Sequence, residues 1–319
     1  MSDIKLFSLM NDAAVELAGK FAVLEKELQI LIERNMESFL GVRFIKSEHT
    51  TGKTHGGRID SLGIDEDGCP VIIEYKRHSK ENVINQGLFY LDWLLDHQAE
   101  FQLLVMDKLN AEVAQKIEWS GTRLICIASD FNKFDEHAVQ QIDRNIELMR
   151  YRYFGDDLLL LELVNARTAS SSYAKTISIA AHVESGETAG TDNTSPRKRN
   201  DLHENRKEAA SDELLQLYEM ICDFAQSLGD EVQRKELKFY TAFKRIRNFL
   251  SVQVWAPVQD PTILLYLNLN PKNIELKEGF SSDVTNKGHW GTGNLEVRIK
   301  NVADVEKAKN LIEMSYLDL

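Results

Sequence analysis

Residues 71–75 form a continuous β-branched and apolar run, and strand side chains alternate faces with period two. Glu74 and Lys76 therefore point one way and Ile73 and Tyr75 the other. The two charges interrupt an otherwise hydrophobic strand. Residues 58–64 also read as a strand, and Asp65-Glu66-Asp67-Gly68 is a turn signal between the two runs. Residues 58–76 are expected to form a β-hairpin that brings Asp60 beside Glu74. Leu24, Leu28, Leu31 and Ile32 recur at helical spacing and predict an amphipathic helix within 21–39. Val83, Ile84, Leu88, Leu91, Leu94 and Leu95 predict a second from Ser79, a plausible N-cap, to about residue 97. A further helix is expected over 99–117, a strand over 122–128, a short helix over 134–145, and an apolar pair over 146–153 and 158–164. This order predicts an α/β domain, an αβββαβ core with a mixed sheet flanked by helices.

After Val164 the composition changes. Residues 168–211 are rich in Ser, Thr, Ala, Gly, Asn and charge, the signature of a flexible linker. Beyond it, amphipathic helices over 214–228 and 303–314 enclose strand-like runs at 239–243, 249–255, 263–269 and 295–299. That pattern predicts an α+β module with an antiparallel sheet. The expected division is thus 1–167, a linker 168–211, and 212–319.

At 319 residues and 43% hydrophobic content the chain can bury the cores of two domains. A net charge of -12 argues against a uniformly basic nucleic-acid binder. Basic residues cluster locally, however: Arg43, Lys46, Lys53, His55, Arg58, Lys76, Arg77, His78 and Lys80 near the hairpin, then Pro196-Arg197-Lys198-Arg199, then Lys235, Lys238, Lys244, Arg245 and Arg247. Cys69, Cys126 and Cys222 form no CxxC pair and read as reduced thiols. No stretch approaches about 18 uninterrupted apolar residues and no secretory leader pattern is present, so a cytoplasmic protein without membrane contact is expected. Walker, Gly-x-Ser-x-Gly and HExxH patterns are absent.

Two carboxylates and one ammonium on neighbouring strand ends suit a divalent ion held against a phosphodiester. Asp60 and Glu74 are hard oxygen ligands for Mg²⁺ or Mn²⁺, and Lys76 would stabilise developing charge or orient a water. The alternative is an exposed cross-strand ion pair of small energetic weight.

Gly57-Arg58-Ile59-Asp60, Ile73-Glu74-Tyr75-Lys76-Arg77 and Gln86-Gly87-Leu88-Phe89-Tyr90 together resemble the PD-(D/E)XK nuclease superfamily, most closely its NucS-like and RecB-like branch. Ile59 stands where the motif usually has proline. The resemblance implies a metal-dependent endonuclease acting on DNA, with Asp60, Glu74 and the Tyr75 carbonyl on Mg²⁺ or Mn²⁺ and Gln86 near the active site. Tyr90 follows Gln86 at helical spacing on the same face. The resemblance also implies a third acidic ligand from the first helix, Glu27 by first choice and Glu33 by second. Arg58, Arg77 and Tyr90 are candidate nucleic-acid contacts. A homodimer is plausible because duplex cleavage needs two cuts. The competing reading is a non-catalytic nucleic-acid-binding or interaction module on a nuclease fold.

The 212–319 segment resembles a domain of unknown function found beside such nucleases, through Gly288-His289-Trp290-Gly291-Thr292-Gly293 and the final helix. His289 and Trp290 offer a stacking surface; the alternative is a structural turn whose indole caps the sheet.

Overall fold

A computed structural model describes residues 4–10, 13–22, 24–77, 83–169, 202–257 and 259–318. Ser79, His78, Lys80, the Pro196–Arg199 run and most of the expected linker lie outside the described residues. The chain divides into two compact units, one of Met1–Asp65, Pro70–Ile117 and Thr122–Ala169, the other of Glu66–Cys69, Glu118–Gly121 and Ser170–Leu319.

In the first unit, β1 (Leu6–Met10) and β2 (Ala13–Leu17) form a separate two-stranded sheet, and β3 (Gly19–Lys20) begins the main one. Helices α1 (Glu25–Arg34) and α2 (Met36–Leu40) follow, then β4 (Val42–Thr50), a single turn α3 (Gly52–His55), β5 (Arg58–Asp65) and β6 (Pro70–Lys76). Next come α4 (Val83–Asp96), α5 (Gln98–Lys108), α6 (Ala111–Gln115), β7 (Arg123–Ala128), α7 (Lys133–Gln141), β8 (Asn145–Phe154) and β9 (Leu158–Arg167). The seven-stranded sheet runs β3-β8-β7-β6-β5-β4, with β9 also paired to β8. β4, β5 and β6 are antiparallel, whereas β6, β7 and β8 are parallel. The expected mixed α/β sheet, with helix, three strands, helix and strand in that order, is present.

The helices sit where apolar spacing puts them. α1 buries Leu28, Gln29 and Ile32, and α4 buries Val83, Ile84, Gly87, Tyr90, Leu91, Trp93 and Leu94. A Cβ on Gly87 would stand 2.5 Å from Leu124 Cδ1, so α4 lies against β7 at a distance only glycine permits. Arg123, at the start of β7, is buried and binds Asp65 at the end of β5 and Glu147 on β8. This ties three strands together at the edge far from Lys76.

Several elements differ from the pattern-based expectation. The single helix over 21–39 is two, separated at Asn35, whose side chain donates to the Leu31 carbonyl at 2.9 Å. The helix over 99–117 also breaks, at Leu109-Asn110, because Asn110 caps α6 through Val113 N. β4 escaped detection: it is an edge strand whose partly wet face mixes Arg43, Lys46 and Ser47 with apolar residues.

In the second unit, α8 (His203–Glu208) and α9 (Asp212–Ser227) precede β10 (Gln233–Glu236), β11 (Thr241–Lys244), β12 (Asn248–Trp255), β13 (Thr262–Leu267), β14 (Ser281–Asp283), β15 (Leu295–Ile299) and α10 (Val302–Leu317). The sheet is antiparallel in the order β10-β11-β12-β13-β15-β14. Val252, Val254, Ile263, Leu265, Val297 and Ile299 face Tyr218, Ile221, Val305 and Ile312 in a single core, so α9 and α10 cover one side of the sheet. Lys235 and Lys244, two members of the last basic cluster, are buried. A basic run in sequence need not be a basic patch once strand alternation turns some of its members inward. No described helix is long and apolar enough to cross a membrane.

Candidate active site

β5 and β6 pair with Ser61 opposite Ile73 and Leu62 opposite Ile72. One step further along, this register sets Asp60 against Glu74, and each carboxylate is held by the other strand's backbone. Asp60 N donates to Glu74 Oε1 at 3.1 Å, and Tyr75 N donates to Asp60 Oδ2 at 3.1 Å. Glu74 is fully buried, and its Oε2 has no hydrogen-bond partner.

Burial is the main force on both acids. It pushes Glu74 up to about 9, with the neighbouring Asp60 charge second and the Asp60 N–H and Lys76 only partly opposing. Asp60 is raised as well, by burial first, against the Tyr75 N–H and Lys76. Two carboxylates in one desolvated site disfavour double ionisation. Cys126 sits beside Glu74 in the β6–β7 register, and its buried thiol is likewise pushed up, by burial and then by Glu74.

Lys76 projects two residues beyond Glu74 on the same face. Its Nζ lies 3.3 Å from Glu25 Oε1, while Glu25 Oε2 accepts from Arg77 N at 3.1 Å. Burial alone would lower the ammonium's pKa. Glu25 and Asp60 outweigh it, so the pKa is raised and Lys76 stays charged.

The glutamate that helix α1 brings to Lys76 is therefore Glu25. Glu27, the expected third acidic ligand, is exposed; it sits about 200° round the helix from Glu25. Glu33 accepts from Ser61 Oγ at 2.6 Å and from Gln29 Nε2 at 2.9 Å, on the face of β5 opposite Asp60. Glu25 stands three residues before Leu28 and seven before Ile32, on the buried stripe of α1, and Glu27 stands off it. Glu48 was not singled out from sequence. It adopts φ 53°, the only non-glycine residue with positive φ among those described, and binds Lys26 Nζ and Arg58 Nε, each at 2.6 Å. Glu25 and Glu48 both add to the negative field at Asp60.

Gln86 Nε2 donates to Tyr90 Oη at 3.2 Å, and Tyr90 Oη accepts from Arg58 N at 3.2 Å. Helix α4 thus pins the start of β5 two residues before Asp60. Arg58 and Arg77 are exposed, whereas Tyr90 is buried and positions backbone. His289 and Trp290 belong to the second unit. Their rings lie on Tyr266 and Phe239, respectively.

The described residues contain no group of three or more His, Cys, Asp or Glu side chains arranged to hold a metal ion. The acidic constellation is a facing pair, Asp60 and Glu74, with Glu25 on the far side of Lys76. Such a pair still fits a divalent ion. Mg²⁺ is commonly bound through one or two carboxylates with waters and phosphate oxygens completing its shell, and Glu74 Oε2 is a buried acceptor with nothing to accept.

Residues 204–318 match the family model described as a domain of unknown function, DUF5655. Over 322 residues the chain is 28% identical to an uncharacterized protein of Haemophilus influenzae, covering 99% of this chain and all of that one. Among solved structures it is similar to a repair endonuclease from Pyrococcus abyssi, with 20% identity, a TM-score of 0.28, and coverage of 41% of this chain and 48% of that one. It is also similar to the protein in an EndoMS–double-stranded DNA complex, with 19% identity, a TM-score of 0.25, and coverage of 41% and 47%. The chain thus spans about half the length of either structural relative.

Proposed function

We propose that the first unit is a metal-dependent endonuclease that hydrolyses DNA phosphodiesters. The observation that carries this reading is the facing pair of half-buried Asp60 and buried Glu74, each fixed by the other's strand, with Lys76 beside it and Glu74 Oε2 unpartnered. A purely structural role would not hold two carboxylates together at the cost of raising both pKa values, and Glu74 gains no salt bridge from the arrangement.

Asp60 and Glu74, with the Tyr75 carbonyl, would hold Mg²⁺ or Mn²⁺, which when bound supplies Lewis-acid stabilisation to a phosphodiester. Lys76 stays protonated, so its role is to stabilise charge on the phosphate and to orient the attacking water by hydrogen-bond donation. Glu25 positions Lys76. Gln86, anchored through Tyr90, orients the scissile region, and Arg58 and Arg77 meet the backbone phosphates. Cytoplasmic location and a homodimer belong to the same proposal.

The test is incubation of the purified protein with plasmid, single-stranded, flap and mismatched DNA in Mg²⁺, Mn²⁺ or EDTA. Metal-dependent cleavage should fall by about 10²-fold or more in Asp60→Ala and Lys76→Ala. Cleavage indifferent to either substitution sinks the assignment. DNA binding without cleavage in any metal would favour a non-catalytic module on the same fold.

A further inference from the structure

The second unit carries an aromatic face that the catalytic reading does not use. Along β12, Val252 and Val254 enter the core beneath α9 and α10, so Ser251, Gln253 and Trp255 stand on the other side of the sheet. Tyr266 joins them there through its register with Ser251. The loop holding Gly288-His289-Trp290-Gly291-Thr292-Gly293 is fastened over this side. Thr292 N donates to Ser251 Oγ at 3.1 Å, and the His289 ring stacks on Tyr266 with centroids 4.3 Å apart and planes at 7°. Gly291 and Gly293 take φ of 98° and 131°. A Cβ on Gly293 would stand 2.5 Å from the Leu267 carbonyl oxygen, so the loop has one shape.

That shape lays Trp290 on Phe239, with centroids 3.8 Å apart and planes at 21°, and leaves the indole 41% exposed. Trp255 is 42% exposed on the same side of the sheet, about 13 Å along β12 from Ser251. Each aromatic group packs against a cation, exposed Lys238 at the first and buried Arg206 at the second. Lys238 Nζ is 5.4 Å from the Phe239 ring centroid, and the Arg206 guanidinium is 4.9 Å from that of Trp255. A half-exposed indole whose other face is already stacked is a rigid π-surface, and it needs no rearrangement to receive a flat partner.

We propose that this face binds single-stranded DNA, with unpaired bases stacking on Trp290 and Trp255 and with exposed Lys238 meeting an adjoining phosphate. Two exposed flat surfaces with a cation beside one of them match a strand that presents bases and phosphates in turn, and stacking of this kind is tolerant of sequence. A sheet cap alone would require neither a second exposed indole nor an exposed lysine beside the first. The site is independent of Asp60, Glu74 and Lys76, and so of whether the first unit cleaves.

The experiment uses the full chain in EDTA, with fluorescence anisotropy of a labelled twenty-residue oligothymidylate and of an abasic strand of equal length and charge. The intact strand should bind about tenfold or more tightly than the abasic one, and Trp290→Ala should lose about the same factor. Trp290→Phe should retain most of the affinity, and Lys238→Ala should weaken the binding of both strands. Thermal melting checks that the variants fold. Equal affinity of the wild-type protein for the base-bearing and abasic strands overturns the proposal, a result that requires no variant to fold. Unchanged oligothymidylate binding by folded Trp290→Ala overturns it as well.

Discussion

Asp60 is held in two ways that conflict. Tyr75 N–H favours its charge, while burial and the neighbouring acids oppose it. Asp60→Asn keeps an acceptor for Tyr75 N–H and removes a negative charge from beside Glu74. The metal-free variant should therefore melt at or above the wild-type temperature while losing cleavage, a separation that calorimetry and a plasmid assay together would read. An Asp60→Asn protein that melts several degrees lower would contradict the electrostatic account. Glu25 and Glu27 make a sharper pair. Glu25→Gln frees Lys76 Nζ and should depress cleavage by about tenfold or more, whereas exposed Glu27→Gln should stay within about twofold of wild type. The residues of the β5–β6 hairpin were legible from sequence because period two leaves little freedom. Glu25 was not, although it shares the stripe of Leu28 and Ile32, because a helix with several glutamates carries no mark of the one that meets the site, and Glu48 was not, because nothing in the sequence marks a positive φ.

At the scale of elements, hydrophobic alternation gave β6, β7, β12, β13 and β15 to within a residue or two at either end, since strands buried on both or one face carry the strongest pattern. Edge strands β4 and β10, half wet, carried little. Helices were found but not their interruptions, because Asn35 and Asn110 act through side-chain hydrogen bonds that hydropathy does not register. The packing of α4 on the sheet makes its own prediction. Gly87→Val drives a β-branched side chain into Leu124 and should cost about 1–3 kcal/mol in a denaturant titration. Because α4 also carries Gln86 and Tyr90, the surviving folded protein should cleave less well than its stability alone would imply.

On the scale of the whole chain, a net charge of -12 coexists with the local positive groups that a polyanion would meet, Arg58 and Arg77 at the first unit's site and Lys238 in the second unit. The second unit also contains a buried histidine whose pKa burial lowers. His203 Nε2 accepts from Val254 N at 3.1 Å, and burial, then Lys207, lowers its pKa from 6.5 to about 3 despite Glu236. A histidine kept neutral in the fold takes up a proton more readily when unfolded. Its contribution is fully present above about pH 6.5 and is lost as pH falls toward 3, at up to about 1.4 kcal/mol per pH unit. Chemical denaturation of the full chain between pH 7 and 4 should show this slope, and His203→Gln, which keeps an acceptor for Val254 N–H, should flatten it. An unchanged slope in the variant would assign the acid sensitivity elsewhere.

The cross-strand match of Asp60 with Glu74 makes the hairpin sensitive to odd and even changes in length. Deleting one residue of β5 between Asp60 and the turn swings the carboxylate to the side of the sheet where Ser61 now meets Glu33. Deleting two returns it to the correct side but two residues out of line with its partner. Substitutions throughout this strand can preserve the site, while the smallest change in spacing cannot. Among related chains, length between Asp60 and Glu74 should thus vary only by insertions within the turn itself.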